Sequence, residues 1–154
     1  MGQSTSKPLI LRALKTGKLN ASWKNYKRIP RTFRKLKSTL RFIDLSYNQI
    51  EEIPNFITEF SNLSTFIIYS NCIKCLPKTI NKCTALEKLD VSKNYIMIIP
   101  LTLGSLHSLS ILNLSENLLT VIPQCLFELP KLTILNISNN NIKNLDVNFE
   151  YFSG

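Results

Sequence analysis

In Met1-Gly2-Gln3-Ser4-Thr5-Ser6 a serine at position 6 follows a glycine at position 2, the acceptor pattern for N-myristoylation of Gly2. The chemistry would be an amide bond between the glycine nitrogen and a fatty acyl chain. One such chain holds a protein to lipid only marginally, so stable anchoring takes a second signal such as a cluster of cations. The sequence that follows supplies one. Lys7, Arg12, Lys15, Lys18, Lys24, Lys27, Arg28, Arg31, Arg34, Lys35, Lys37 and Arg41 are twelve cations in a stretch, Met1 to Arg41, with no Asp or Glu. Each could add up to about 1 kcal/mol beside an anionic leaflet, although not all can face it together. From Phe42 to Gly154 there are seven basic and ten acidic side chains, so the net charge of +9 belongs to one end. A block of like charge is usually a solvated arm; the adjacent acyl acceptor shifts the reading to anionic membrane lipid. Nucleic acid is the less favoured partner: Trp23 and Tyr26 interleaved with Lys24, Lys27 and Arg28 would suit stacking on single-stranded RNA.

Other chemistry finds little to work with. Cys72-x-x-Cys75 resembles half of a zinc site, but no second pair exists, and the solitary His107 lies more than a full repeat beyond Cys75. No metal or other cofactor is expected. One His, no glycine-rich phosphate loop and no Gly-x-Ser-x-Gly leave no base or nucleophile, so no catalytic residue is assigned. The sequons Asn20-Ala21-Ser22, Asn62-Leu63-Ser64, Asn113-Leu114-Ser115 and Asn136-Ile137-Ser138 read as chance matches. No apolar run approaches the ~20 residues of a membrane span. The cluster Leu9 to Leu11 is too short for a signal peptide, so the expected location is the cytoplasm, peripheral at a membrane.

What must position these residues is a repeat. Leu40 recurs as Leu63, Leu86, Leu109 and Leu132, and Asn48 as Asn71, Asn94, Asn117 and Asn140, with the same interval at every step. The template Leu-x-x-Leu-x-Leu-x-x-Asn-x-Leu is the signature of a leucine-rich repeat. The fold class expected is an α/β leucine-rich repeat solenoid. A short strand per repeat, as in Ile43-x-Leu45, stacks at about 4.8 Å into a curved parallel sheet. Short helices or 3-10 turns form the convex side. The columns Ile50, Ile73, Ile96, Leu119, Ile142 and Ile53, Leu76, Ile99, Ile122, Leu145 point inward, and no repeat can bury them alone. The asparagine amide offers donors and an acceptor to backbone groups inside the bend. Pro54, Pro77, Pro100 and Pro123 send the chain to the convex side, with Asp146 in that place in the fifth repeat. There Ile57, Ile80, Leu103, Leu126 and Phe149, then Phe60, Cys83, Leu106, Leu129 and Phe152, complete the core. Cys72, Cys75 and Cys125 are placed on turn or convex positions.

The side chains between the core columns should face outward on the concave sheet, where such folds usually bind. In the first repeat these are Phe42, Asp44, Ser46 and Tyr47; in the second, Thr65, Ile67, Tyr69 and Ser70. The third supplies Lys88, Asp90, Ser92 and Lys93. The fourth and fifth supply Ile111, Asn113, Ser115 and Glu116, then Ile134, Asn136, Ser138 and Asn139. Exposed aromatic and aliphatic side chains flanked by charge are what protein partners use. The function expected is a non-catalytic protein-binding scaffold. RNA binding through the basic end, or a regulatory subunit of a signalling enzyme, are the alternatives.

The segment 1–7 reads as a lipidation segment, 8–39 as a basic cap helix and a degenerate leading repeat, and 40–154 as five repeats. Pro8 to Thr16 suits a short helix stopped by Gly17, capping the solenoid or dipping into a membrane interface. In the leading repeat Ile29-Pro30, Phe33 and Leu36 keep the second half of the template, and one extra residue in Lys35 to Thr39 puts it out of step. The Met1-Gly2 start with Ser4, the placement of Lys15-Thr16-Gly17 ahead of Pro30, Leu36 with Ser38, and Leu40-Arg41 with Ile43-Asp44-Leu45-Ser46, Asn48, Ile50-Glu51 and Pro54 resemble the leucine-rich repeat-containing protein 57 family. That resemblance covers the whole chain and implies a lipid-anchored, non-enzymatic repeat protein, with Gly2 as the carried-over position. Members of that family continue for several more repeats. A sheet stopping at Leu135 to Ile137 would leave an open edge, so a truncated product, or self-association through the uncapped end, is expected.

Overall fold

The computed structural model describes residues 6–143. Gly2, Leu145, Asp146, Phe149, Phe152 and the chain end at Gly154 lie outside the described residues. Helix α1, Ser6–Thr16, starts ahead of the expected Pro8. Pro8 still falls in the first turn, where its missing N–H costs no intrahelical bond. Gly17 stops the helix at φ 66°, its N–H donating to the Ala13 carbonyl at 2.8 Å. The helix packs against the first strand and the first 3-10 turn, with Ala13 buried and Leu9 and Ile10 half-buried on the core. It caps the stack.

Six short strands follow: β1 Lys18–Asn20, β2 Phe42–Asp44, β3 Thr65–Ile67, β4 Lys88–Asp90, β5 Ile111–Asn113 and β6 Ile134–Asn136. They form one parallel sheet in chain order. The coil carrying β1 is the leading coil, and those carrying β2 to β6 are coils 1 to 5. In β1 to β5 the central residue is buried and its neighbours face the concave side; every residue of β6 is exposed.

The leading coil is more regular than its sequence suggests. Leu19 pairs with Ile43, and Ile43 with Phe66, so the first step along the sheet is longer than the second by one position. The extra residue lies after Leu36, whose carbonyl receives the N–H groups of both Thr39 and Leu40, at 2.9 and 3.0 Å. Allowing for it, Leu19 and Ala21 fill the columns of Ile43 and Leu45, and Tyr26 that of Ile50. The strand half of the template, which the sequence reading left out, is therefore present. It was hidden because Ala21 is small and Lys24 stands where later coils have asparagine.

The asparagines form a ladder. The Asn94 Oδ1 accepts from the Ile73 N–H at 2.9 Å, and its Nδ2 donates to the carbonyls of Ile68, Val91 and Ser92 at 3.0 to 3.1 Å. Asn71, Asn117 and Asn140 repeat the arrangement in their own coils. Each amide thus ties its own bend to the preceding coil. In coil 1 the Asn48 Oδ1 serves two leading-coil donors, the N–H groups of Lys24 and Tyr26, both at 3.0 Å.

After each bend a proline opens a 3-10 turn. The carbonyls of Pro30, Pro54, Pro77, Pro100 and Pro123 accept from the N–H groups of Phe33, Ile57, Ile80, Leu103 and Leu126 at 2.9 to 3.1 Å. Those five side chains are buried. Cys125 corrects an expectation: it stands on the convex turn, yet is fully buried, with its thiol directed at the Pro100 carbonyl at 3.7 Å.

Candidate protein-binding surface

Parallel register turns scattered residues into columns. Lys18, Phe42, Thr65, Lys88, Ile111 and Ile134 align across the sheet in one row, and Asn20, Asp44, Ile67, Asp90, Asn113 and Asn136 in the next. In coils 1 to 4 both rows are half-buried, and in coil 5 they are exposed. Phe42, Ile67 and Ile111 therefore present apolar surface on a concave face that also carries Lys88 and Asp90.

Much of the polar row has local duties. The Asp44 Oδ1 accepts from the N–H and hydroxyl of Ser46 at 2.9 and 2.6 Å. The Asn113 Oδ1 does the same with Ser115, and Asn136 with Ser138. Asp90 holds Ser92 in the same way, and Asn20 holds Ser22. Three of the four sequons are thus the Asx-x-Ser clasp at the exit of a strand, in which Asp and Asn are interchangeable. Coil 2, with Ile67 and Tyr69, lacks it. The clasp also corrects the outward placement of Ser46, Ser92 and Ser115, all of which are buried.

Along the rim beyond the clasp runs an aromatic ladder. Trp23 stacks on Tyr47 with ring centroids 3.9 Å apart, and Tyr47 meets Tyr69 edge to face at 5.0 Å. The Lys93 ammonium lies 5.8 Å from the Tyr69 ring centroid. A hydrogen bond with Tyr69 raises the pKa of the Tyr47 phenol, with burial as the next cause. Trp23, Tyr47, Ser70, Lys93, Glu116 and Asn139 all adopt φ of 53 to 58°, which tips these side chains to the rim. Trp23 is 69% exposed and belongs to this surface. Sequence reasoning paired it with Tyr26 instead; Tyr26 packs against the core, edge to face with Phe33, so the two rings share no stacking face.

The twelve basic residues wrap around the leading end. Lys18 faces the concave side, Lys27 and Arg28 follow the bend, and Arg31, Arg34 and Lys35 occupy the convex turn. Arg34 is engaged, its Nε donating to Glu59 Oε2 at 2.7 Å. On α1, Lys7, Leu11 and Leu14 share the face turned away from the core, with Lys15 beside it, and Leu11 and Leu14 are 54% and 46% exposed. A hollow of about 250 Å³ lined by Leu9, Arg12, Thr16, Lys18, Asn20 and Phe42 joins this helix to the concave sheet. Among the described residues no group of three or more His, Cys, Asp or Glu could hold a metal, and no helix is long and apolar enough to cross a membrane.

One cluster escaped the sequence reading. Met97, Ile98, Leu101 and Val121 are 60 to 75% exposed on the flank where the chain descends from bend to proline. Their signal was the replacement of Lys74 and Lys78 one repeat earlier by apolar residues at the same repeat positions.

A family model for the leucine-rich repeat matches residues 98–142, and a second matches 39–60 and 85–106. Among solved structures the chain is similar to a leucine-rich repeat protein of Leptospira interrogans, at 23% identity and TM-score 0.74, over 88% of this chain and 41% of that one. An internalin of Listeria monocytogenes aligns at 24% identity and TM-score 0.74, over 84% and 36%. The plant peptide hormone receptor RGFR1 in complex with RGF2 aligns at 33% identity and TM-score 0.61, over 66% and 17%. The chain thus spans less than half the length of each of these proteins. With its parallel sheet, asparagine ladder and matched repeats, the chain is a leucine-rich repeat protein.

Proposed function

We propose that this chain is a non-catalytic scaffold that binds a protein or peptide on its concave face, while an acylated Gly2 and the basic leading end hold it to the cytoplasmic side of a membrane. The observation that carries the binding half is the pair of registered rows in which Phe42, Ile67 and Ile111 stay half-exposed beside Lys88 and Asp90. A fully solvated strand face has no need of such residues. The similar plant receptor was solved with RGF2 bound, which is in keeping with a peptide or protein ligand here. The anchoring half rests on the acceptor pattern, the acid-free stretch from Met1 to Arg41 and the Lys7, Leu11, Leu14 face of α1. It agrees with the resemblance to the leucine-rich repeat-containing protein 57 family.

Two measurements test the halves separately. Ile67→Glu combined with Ile111→Glu should abolish capture of proximity-labelled partners while leaving the melting temperature nearly unchanged. Retained capture sinks the concave reading. Mass spectrometry of the N-terminal peptide from eukaryotic cells should show an acylated Gly2, with Gly2→Ala moving the protein out of the membrane fraction. An unmodified Gly2 removes the anchor.

A further inference from the structure

We infer that the descending flank of coils 3 and 4 is a second docking site, built for a peptide segment of another protein in which apolar side chains are bracketed by carboxylates. The flank is the stretch between each bend and its proline. Between coils 2 and 3 a parallel bridge from Cys75 to Ile98 draws the two flanks together. Between coils 3 and 4 they part into a groove of about 330 Å³, with Met97, Ile98 and Leu101 on one bank and Val121 and Pro123 on the other. Ile98 and Leu101 are each 75% exposed, against 55% for Ile134 at the open end of the concave rows. Apolar surface of this kind, with no charge inside it, is what buried interface cores use.

The charges around the groove choose the occupant. The constant repeat interval puts Lys74, Met97, Thr120 and Lys143 in one column and Lys78, Leu101 and Gln124 in another. Exposed lysines therefore stand outside both banks, Lys74 and Lys78 on coil 2 and Lys143 on coil 5. The flank segments 72–78, 95–101 and 118–124 contain no Asp or Glu; Asp146 comes in the fifth repeat's segment after Lys143, Glu116 and Glu128 stand just outside the coil 4 segment, and Glu51 and Glu52 of coil 1 come beyond the coil 2 lysines. A partner with apolar residues at its centre and carboxylates on either side matches that sign pattern. A second copy of this chain would bring lysine rims against each other, and a flat lipid surface does not enter a recess between two banks. The site is separate from the concave rows, so it does not rest on the function proposed above.

Selection of a random peptide library against the full chain tests this. The expected winners carry apolar residues flanked by Asp or Glu, and lose about tenfold or more in affinity for Ile98→Ser with Val121→Ser. Lys74→Glu with Lys143→Glu should weaken the same peptides, and added salt should weaken them on the unmodified chain. Ile67→Glu with Ile111→Glu should leave them bound, which separates this site from the concave one. Lys74, Ile98, Val121 and Lys143 are exposed and Ile67 and Ile111 half-buried, and an unchanged melting curve for each variant serves as the control. Winners that are basic, winners indifferent to Ile98 and Val121, or no winners at all would overturn the proposal. So would a concentration-dependent dimer, or sedimentation with anionic vesicles, that Ile98→Ser abolishes; the first assigns the groove to a second copy and the second to lipid.

Discussion

At the scale of single residues, the buried amide of Asn94 is the clearest case of a side chain whose value lies in what it leaves satisfied. Asn94→Ala would orphan the Ile73 N–H and take one donor from each of the Ile68, Val91 and Ser92 carbonyls, which keep bonds from the Asn71 amide, the Asn117 amide and the Ser70 N–H. A loss of about 1–3 kcal/mol is expected, read as a lower midpoint in chemical denaturation. An unchanged midpoint would mean the ladder is decorative. Burial also pushes the Cys83 thiol up from 9.0 to about 11. Because the folded pKa is raised, stability from this group is complete below pH 9 and is lost as pH climbs toward 11. The denaturation midpoint should therefore fall more steeply across that window for the parent chain than for Cys83→Ala. At neutral pH the exposed Cys75 should be alkylated before the buried Cys83 and Cys125. Asparagine, proline and core columns were legible because each recurs at a fixed spacing. The Asx-x-Ser clasp was not, since Asn-x-Ser also spells a glycosylation acceptor and only coordinates show the Ser115 hydroxyl on Asn113 at 2.8 Å.

At the scale of elements, coils 3 and 4 meet across their convex turns with no room to spare. A Cβ on Gly104 would lie 2.8 Å from the Cys125 carbonyl oxygen and 2.7 Å from Glu128 Oε2. The glutamate can swing aside, but the carbonyl belongs to a turn that already buries Cys125 and Leu126. Gly104→Ala should therefore destabilise by about 1–3 kcal/mol, through overpacking rather than through any change in backbone freedom. A melting temperature equal to that of the parent would show that coil 4 shifts at no cost. The same packing explains what the sequence concealed. Gly104 looks like an ordinary loop glycine. The repeat already put Ile99 in an inward column, and the stacked coils add that Met97 and Ile98 beside it point out.

At the scale of the whole molecule, the solenoid is polar, with a cationic end closed by α1 and a remainder, Phe42 to Gly154, in which ten acidic side chains outnumber seven basic ones although coil 2 is itself basic. Curvature and register could be read from the period alone, but which cations act together could not, because one coil spreads its charges through a full turn. If the closed end meets lipid, Lys7, Leu11, Leu14 and Lys15 on the outward side of α1 should matter more than Arg34 and Lys35, since Arg34 is held by Glu59 on the convex side. Cosedimentation of the unacylated chain with anionic vesicles should fall strongly for Lys7→Ser with Lys15→Ser, and again for Leu11→Ser with Leu14→Ser. Little change is expected for Arg34→Ala with Lys35→Ala. Rising salt should weaken the charge-dependent part and leave the leucine contribution, because screening acts on the ammonium groups while burial of apolar area does not depend on them. Equal losses for all three pairs would mean the basic block acts as diffuse charge, and α1 would then be a cap for the solenoid without a part in binding lipid.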